Sequence, residues 1–197
     1  MIRAEVLAAL QTVQQESHPE AENLTIAGKW DQFTLWQHGE QVESATKLLP
    51  ETAKVIATLP EATSMVYGQS KLSIMAPRTH ARPHHGTTNA RVRIHLGITG
   101  LEQAAIRCLN ETKVWHTSQC IAFDDSFEHE VWNNSTEVRV VLIVDVWQPS
   151  MTEEARRAIM EGEPELLARY DKLEGGLALS RTSLRKEARD KESQGQE

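Results

Sequence analysis

Hydrophobic and polar residues alternate in a series of short segments through the middle of the chain, and this alternation is typical of β-strands. The segments are SKLSIMAP, ARVRIHLGI, AAIRCLNE, KVWHTSQCIAFDD, FEHEVWN and EVRVVLIVDVW. Turn-forming stretches such as TG, NE, DDS and NNST separate them. Many short strands at this spacing predict an antiparallel sandwich or barrel, so we expect a mainly β fold.

Helical patterns flank this region. Residues 2–16 carry apolar side chains at helical spacing, and Pro50 stands where a helix could begin in the segment 48–62. The aromatic-rich segment 28–40 is predicted to be a strand or one arm of a hairpin. After Pro149 the sequence becomes charged and helical. We therefore predict a domain over 1–149 and a helical extension with a disordered tail over 150–197.

Composition and charge narrow the classes of function. The formal net charge of −7 argues against a nucleic-acid partner. No apolar run approaches the ~18 residues of a membrane-spanning helix, and the N-terminal segment contains Glu5 where a signal peptide would be apolar. The cysteines, Cys108 and Cys120, are too few for a disulfide framework. We therefore expect a cytoplasmic protein without a membrane anchor.

One predicted strand has a cationic face. Arg91, Arg93 and His95 share one side of the segment RVRIHLGI, and apolar residues occupy the other side. A surface strand whose arginines extend into solvent is the commonest arrangement of this kind, and it fits Arg91 well.

Arg139 fits a surface position poorly, because it opens the apolar run VRVVLIVDVW. A buried guanidinium needs an anion, either from the protein or from a ligand. Asp145 could supply it, and a dicarboxylate ligand held by separate guanidinium groups is the alternative.

Two histidines are candidate metal ligands. His129 shares a predicted strand face with Phe127 and Val131, and His84 lies on a separate segment. A single histidine in such a place is more often a core residue, but two on separate strands of a predicted sandwich or barrel raise the expectation of a site for iron, copper or zinc. The usual iron triad adds a carboxylate two residues after the first histidine, and Gly86 stands at that position.

The order and spacing of these residues resemble the aspartyl/asparaginyl β-hydroxylase family of iron(II)- and 2-oxoglutarate-dependent oxygenases. The most specific segments are SIMAPRTHARPHHGTTNARVRIHLG, CLNETKVW, FDDSFEHEVWN and VRVVLIVDVWQP. The resemblance implies a double-stranded β-helix (a jelly-roll, cupin-like fold) with flanking α-helices. It also implies an iron site with His84 and His129 as ligands, in which Gly86 replaces the expected carboxylate.

The resemblance further implies roles for residues around the iron. Arg139 and Ser73 would hold the distal carboxylate of 2-oxoglutarate, and Arg93 and His95 would contact its near end. Met75 and Trp30 would line the same pocket. Glu22 and Arg91 would bind substrate, whereas Thr25 stands where a substrate-binding arginine is expected.

The implied reaction is hydroxylation of a carbon by dioxygen, coupled to decarboxylation of 2-oxoglutarate to succinate. The implied substrate is the β-carbon of an aspartyl or asparaginyl residue in a peptide or protein, or a free amino acid. A fatty-acyl or other small-molecule substrate is one alternative. A cupin-like protein that binds metal or a small acid without turnover is another.

Overall fold

Two antiparallel sheets, with a layer of helices against one of them, make up the fold. The computed structural model describes residues 1–161. The elements in chain order are α1 (Ile2–Glu16), β1 (His18–Pro19), β2 (Thr25–Ala27), β3 (Trp30–Gln37), β4 (Glu40–Gln41), α2 (Glu43–Leu48), α3 (Pro50–Ala57), α4 (Pro60–Thr63), β5 (Gln69–Met75), β6 (Thr79–His84), β7 (Arg91–Thr99), β8 (Ala104–Cys108), β9 (Glu111–Val114), β10 (Cys120–Phe123), β11 (His129–Asn133), β12 (Arg139–Trp147) and α5 (Glu153–Glu161).

The strand order is that of a double-stranded β-helix. The larger sheet runs β1-β3-β5-β12-β7-β10, with β4 paired to β3, and the smaller sheet runs β2-β6-β11-β8-β9. From β5 to β12 the chain crosses repeatedly between the sheets, so that four of these strands lie in each. The predicted mainly β, jelly-roll fold with flanking helices is confirmed.

The period-two alternation of the central strands gives the larger sheet two different faces. On β12, Leu142 and Val144 pack with the helices in one core cluster. Val141 and Ile143 point the other way and pack between the sheets in a second cluster. Arg139 and Asp145 share the parity of Val141, so both lie on the inward face.

The helix layer is attached through a buried carboxylate as well as through apolar contacts. Val6 and Val13 of α1 are fully buried against the outer face of the larger sheet. Glu5 of α1 accepts hydrogen bonds from the Glu51 and Thr52 amides, both at 2.7 Å, and from the Thr52 hydroxyl at 2.6 Å. It thereby satisfies free amides in the first turn of α3, where Pro50 occupies the first position.

The structure corrects several predicted boundaries. The helix expected over 48–62 is two helices, because Pro60 begins a new one. Helix α2 and strand β2 were not predicted, since both are short and lack a clear apolar period. Phe127 precedes β11 and is 48% exposed, so it does not share a buried face with His129 as expected.

The C-terminal part of the chain is described only in part. Helix α5 lies within the predicted helical extension. The rest of the predicted extension, including the expected disordered tail, lies outside the described residues. Among residues 1–161, no helix combines the length and apolar character needed to cross a membrane.

We expect Glu5→Ala to lower the free energy of unfolding by about 1–3 kcal/mol, because three donors at the start of α3 lose a charged acceptor. Urea denaturation followed by circular dichroism measures the effect. Glu16→Ala, at the exposed end of the same helix, is the control and should change stability little. Equal effects of the two substitutions would contradict this function of Glu5.

Candidate active site between the two sheets

The two candidate metal ligands are cross-strand neighbours. His84 ends β6 and pairs in register with His129 at the start of β11. Residues paired in this way project from the same face of a sheet. The centroids of the imidazole rings are 4.1 Å apart, with the ring planes inclined at 56°. The structure therefore brings together the histidines that the sequence singled out.

Both rings are held in the tautomer that suits metal binding. Nδ1 of His84 donates to the Arg82 carbonyl at 2.7 Å, and Nδ1 of His129 donates to the Phe127 carbonyl at 2.9 Å. Each Nε2 then carries a lone pair. Burial, followed by the neighbouring His84, lowers the pKa of His129 to about 4, and burial also lowers the pKa of His84. Neutral imidazole is the form that binds metals.

No further protein ligand accompanies this pair in the described part of the chain. Residues 1–161 contain no group of three or more histidine, cysteine, aspartate or glutamate side chains arranged to hold a metal ion. The candidate donors at this place are the two imidazoles, and their assignment to a metal stays a prediction.

Packing against Asp125 explains the glycine at position 86. The Gly86 amide donates to the Asp125 carbonyl at 2.6 Å. A Cβ atom at position 86 would lie 2.5 Å from Oδ2 of the Asp125 carboxylate, closer than non-bonded atoms approach. A side chain here would therefore collide with Asp125.

Asp125 belongs to a buried network of two guanidiniums and two carboxylates. Arg91 Nη2 lies 2.7 Å from Asp125 Oδ2, and Arg93 Nη1 lies 3.2 Å from the same oxygen. Arg93 also donates to both oxygens of Asp145, at 2.7 and 2.9 Å. Burial alone would raise the pKa of Asp145, but the adjacent Arg93 and Arg91 hold it well below its usual range.

The network corrects the expected position of Arg91. Arg91 is 1% exposed rather than on the surface, and it also donates to the Tyr67 carbonyl at 2.6 Å. The assigned roles of Arg91 toward substrate and of Arg93 toward 2-oxoglutarate stay predictions. In this structure both guanidiniums are hydrogen-bonded to protein carboxylates, and Arg91 also to the Tyr67 carbonyl.

Arg139 is a buried guanidinium whose described neighbours include no carboxylate. It is 1% exposed, donates from Nη1 to the Ser73 hydroxyl at 2.8 Å, and lies 4.4 Å from the centroid of the Trp115 ring. Its Nε has no hydrogen-bond partner among the described residues. Burial lowers the pKa of Arg139 to about 9. Asp145, a possible partner from the sequence, is bonded to Arg93 instead.

Ser73 links Arg139 to the candidate pocket residue Trp30. The Trp30 indole nitrogen donates to the Ser73 oxygen at 2.9 Å. With both acceptor positions of this oxygen used, its own proton remains to be donated to a ligand or neighbour. Met75, fully buried, is the cross-strand neighbour of both Arg139 and Trp30.

His95 is the central member of a chain of ring contacts that connects His129 with the surroundings of Arg139. Its ring stacks on Trp115 with centroids 5.8 Å apart and meets the edge of Phe123 at 5.1 Å. Phe123 in turn contacts His129, at 5.3 Å. Burial and the nearby Arg139 lower the pKa of His95 well below its usual value. Neither ring nitrogen has a partner among the described residues.

A small polar cavity is lined in part by His84. Its lining includes Glu22, Trp30 and Arg93, three residues that the sequence assigned to the site. It also includes Lys71, which sequence reasoning missed although it shares the inward parity of Ser73 on β5. Lys71 is only 5% exposed and donates to Gln69 at 2.5 Å. The cavity therefore presents both cations and anions beside the histidine pair.

Comparison with known proteins identifies the family. A family model described as aspartyl/asparaginyl beta-hydroxylase matches residues 1–149. The human protein named aspartyl/asparaginyl beta-hydroxylase is 47% identical over 160 residues, and the mouse protein of that name is 45% identical over the same length. The chain belongs to the aspartyl/asparaginyl β-hydroxylase family.

Within this family the relatives differ in length and in name. The matched region covers 81% of the chain but 21% of the human protein, so the chain spans about a fifth of the length of that relative. A Rhizobium tropici protein named ornithine lipid ester-linked acyl 2-hydroxylase is 31% identical over 138 residues, covering 68% of the chain and 47% of that protein. The family thus includes proteins named for different substrates.

Solved structures that are similar to this chain have low sequence identity to it. A protein described as a predicted oxalate decarboxylase from Thermotoga maritima is 9% identical, with a TM-score of 0.43 over 68% of the chain and 91% of that structure. The Schizosaccharomyces pombe Cnp3 cupin domain is also 9% identical, with a TM-score of 0.37 over 46% of the chain and 62% of that structure. The assignment of the fold rests on the strand order itself.

We expect Gly86→Ala to lower the free energy of unfolding by about 1–3 kcal/mol, because the new methyl group overlaps the Asp125 carboxylate. Urea denaturation of the metal-free protein measures the loss. In an Asp125→Ala background the same substitution should cost much less, since the obstructing group is gone. An equal cost in both backgrounds would contradict the packing explanation.

We also expect the stability of the metal-free protein to fall as the pH drops from 6.5 toward 4. The folded pKa of His129 is depressed, so the unfolded chain binds its proton first and stability is lost on acidification. One such group changes the free energy of unfolding by up to about 1.4 kcal/mol per pH unit. Denaturation of His129→Gln should show a shallower slope than wild type, whereas exposed His116→Gln should not. Parallel slopes in all three proteins would exclude this contribution.

Proposed function

We propose that this protein is an iron(II)- and 2-oxoglutarate-dependent dioxygenase that hydroxylates the β-carbon of an aspartyl or asparaginyl residue, or of a free amino acid. The observation that carries the proposal is that the inter-sheet region contains both a pair of neutral imidazoles and a buried guanidinium. That guanidinium, Arg139, contacts no described carboxylate. Membership of a hydroxylase family supports the reaction class.

The residues present fit iron(II) as the metal. His84 and His129 would hold it through Nε2, since backbone carbonyls already engage each Nδ1. Imidazole suits iron, and two protein ligands leave other coordination positions for the cosubstrate and dioxygen. When bound, iron would supply the redox chemistry by which dioxygen oxidises the substrate carbon. This oxidation is coupled to the decarboxylation of 2-oxoglutarate.

The residues around Arg139 fit the distal carboxylate of 2-oxoglutarate. A guanidinium presents paired donors that match a carboxylate, and the Ser73 hydroxyl adds a further donor beside it. Trp30 fixes this hydroxyl, and the stacked Trp115 covers one face of the guanidinium. A carboxylate bound here would be orientated and shielded from water, and it would neutralise the buried charge of Arg139.

Neutral His95 and Phe123 belong to a chain of ring contacts that runs from Trp115, beside the guanidinium, to His129. Because the pKa of His95 lies well below its usual value, its ring adds no positive charge beside Arg139 at neutral pH. Its unpartnered nitrogens are available to bond a polar group of the cosubstrate. The rings of Trp115 and Phe123 pack against the His95 ring.

The polar cavity beside His84 supports a charged, amino-acid-like substrate. Lys71 places a positive charge in its lining and Glu22 a negative one, whereas Arg93 is already paired with Asp125 and Asp145. A carboxyl or amide group bound there would orientate the adjacent β-carbon toward the histidine pair. The names of the human and mouse relatives agree with this choice of substrate.

We expect His84→Ala and His129→Ala each to lower succinate formation from 2-oxoglutarate by at least about 100-fold, more than the ~10–100-fold typical of residues beyond the ligands. The assay supplies iron(II), dioxygen and a panel of free aspartate, asparagine and Asp-containing peptides, and mass spectrometry of the products detects an added oxygen. His116→Ala, an exposed histidine outside the site, is the matched control.

Succinate release with an oxygenated product supports the proposal. Succinate release without any oxygenated member of the panel would reject the proposed substrate class and leave an acyl or other substrate. Absence of turnover in wild-type protein that binds iron would reject an enzyme in favour of a binding protein.

A further inference from the structure

Two strands beside the candidate active site are the terminal strands of their sheets. β10 pairs only with β7, and β9 pairs only with β8, among the described strands. Every residue of β9 is exposed. A terminal strand presents a row of backbone N–H and C=O groups along its outer edge, which can pair with a further strand.

A cavity of about 500 Å³ lies between these two edges. Its apolar lining includes Ile106, Ile121 and Phe123, and Lys113 contributes from β9. This volume is within the range of ligand-binding pockets in proteins. The polar cavity that adjoins His84 is separate and far smaller.

The apolar cavity shares lining residues with the immediate surroundings of His129. Phe123, which lines it, contacts His129 with ring centroids 5.3 Å apart. Cys108, also in the lining, is the register partner of His129 on the side opposite to His84. A group in this cavity would therefore lie within one side chain of the proposed metal position.

Large apolar side chains are also exposed beside this cavity. Leu109, in the lining, is 49% exposed, and Phe127 is 48% exposed. The Leu109 amide donates to the Glu128 carbonyl at 2.9 Å, so the turns that carry these two side chains are adjacent. Exposed apolar groups beside a cavity are typical of a binding surface.

We propose that the groove between β9 and β10 binds an extended peptide segment of the substrate, which pairs with a free strand edge and inserts an apolar side chain into the cavity. A peptide fits better than an acyl chain, because a peptide can form hydrogen bonds with the backbone groups along one of these edges and an acyl chain cannot. The proposal deepens the proposed function and rests on it only for the reaction, since peptide binding requires no turnover.

The primary test measures peptide binding to metal-free protein by fluorescence anisotropy. The probes are a short labelled peptide of serine, threonine and glycine around one aspartate, and a set in which a single leucine is moved along it position by position. We expect leucine to tighten binding by about tenfold at one or two positions and little elsewhere. Equal affinity at all positions would overturn the proposal.

Ile121→Trp, which fills the cavity from β10, should abolish the gain from leucine. Leu59→Trp, at an exposed position between α3 and α4 in the helix layer, is the matched control and should retain the gain. An undiminished gain in Ile121→Trp would place the leucine elsewhere and overturn the proposal. Circular dichroism of both variants establishes whether they are folded.

Hydrogen exchange of the wild-type protein tests strand pairing without any substitution. We expect the best leucine peptide to slow amide exchange in 111–114 or 120–123 and not in β2, the terminal strand at the opposite end of the smaller sheet. Binding without such protection would overturn the pairing, as would displacement of the peptide by dodecanoate, which would indicate an acyl site. Because no iron or 2-oxoglutarate is present, failure here is distinct from failure of the succinate assay.

Discussion

A guanidinium buried without a carboxylate partner among residues 1–161 is the feature from which the chemistry of this site follows. Transfer of an isolated charge into a protein interior is costly, and the lowered pKa of Arg139 reflects that cost. Hydrogen bonding to Ser73 and contact with the Trp115 ring offset only part of it. An anionic ligand of the right length, anchored at the histidine pair, would supply the missing charge.

The other buried charges show why Arg139 is different. Arg91 and Arg93 lie on the same inward surface, but Asp125 and Asp145 neutralise them at hydrogen-bond distances. This network also holds the loop that follows His84, because Asp125 both bonds the Gly86 amide and fills the space beside it. The glycine that marks the site in the sequence is thus also a consequence of packing around a structural carboxylate.

The fold could be predicted further than the site. Alternation along the strands was enough for a mainly β architecture, and residue order suggested the histidine pair and Arg139. Alternation alone does not say which face is buried, and a cationic face suggests solvent. In the structure that face of β7 points inward, so Arg91 is in the core. Its partner Asp125 lies 34 positions away in a loop, where sequence spacing indicates only a turn.

The most direct measurement compares the affinities of 2-oxoacids for the iron(II) protein in the absence of oxygen. Binding is detected by the charge-transfer absorption that a chelating 2-oxoacid gives. Wild type should bind 2-oxoglutarate at least about 100-fold more tightly than 2-oxobutyrate, which lacks the distal carboxylate. The reason is that removing one partner of a buried ion pair typically costs about 3–5 kcal/mol. In Arg139→Met this preference should disappear while 2-oxobutyrate still binds. Equal affinities of the two acids for wild type, or an unchanged preference in Arg139→Met, would contradict the assignment of Arg139 to the cosubstrate.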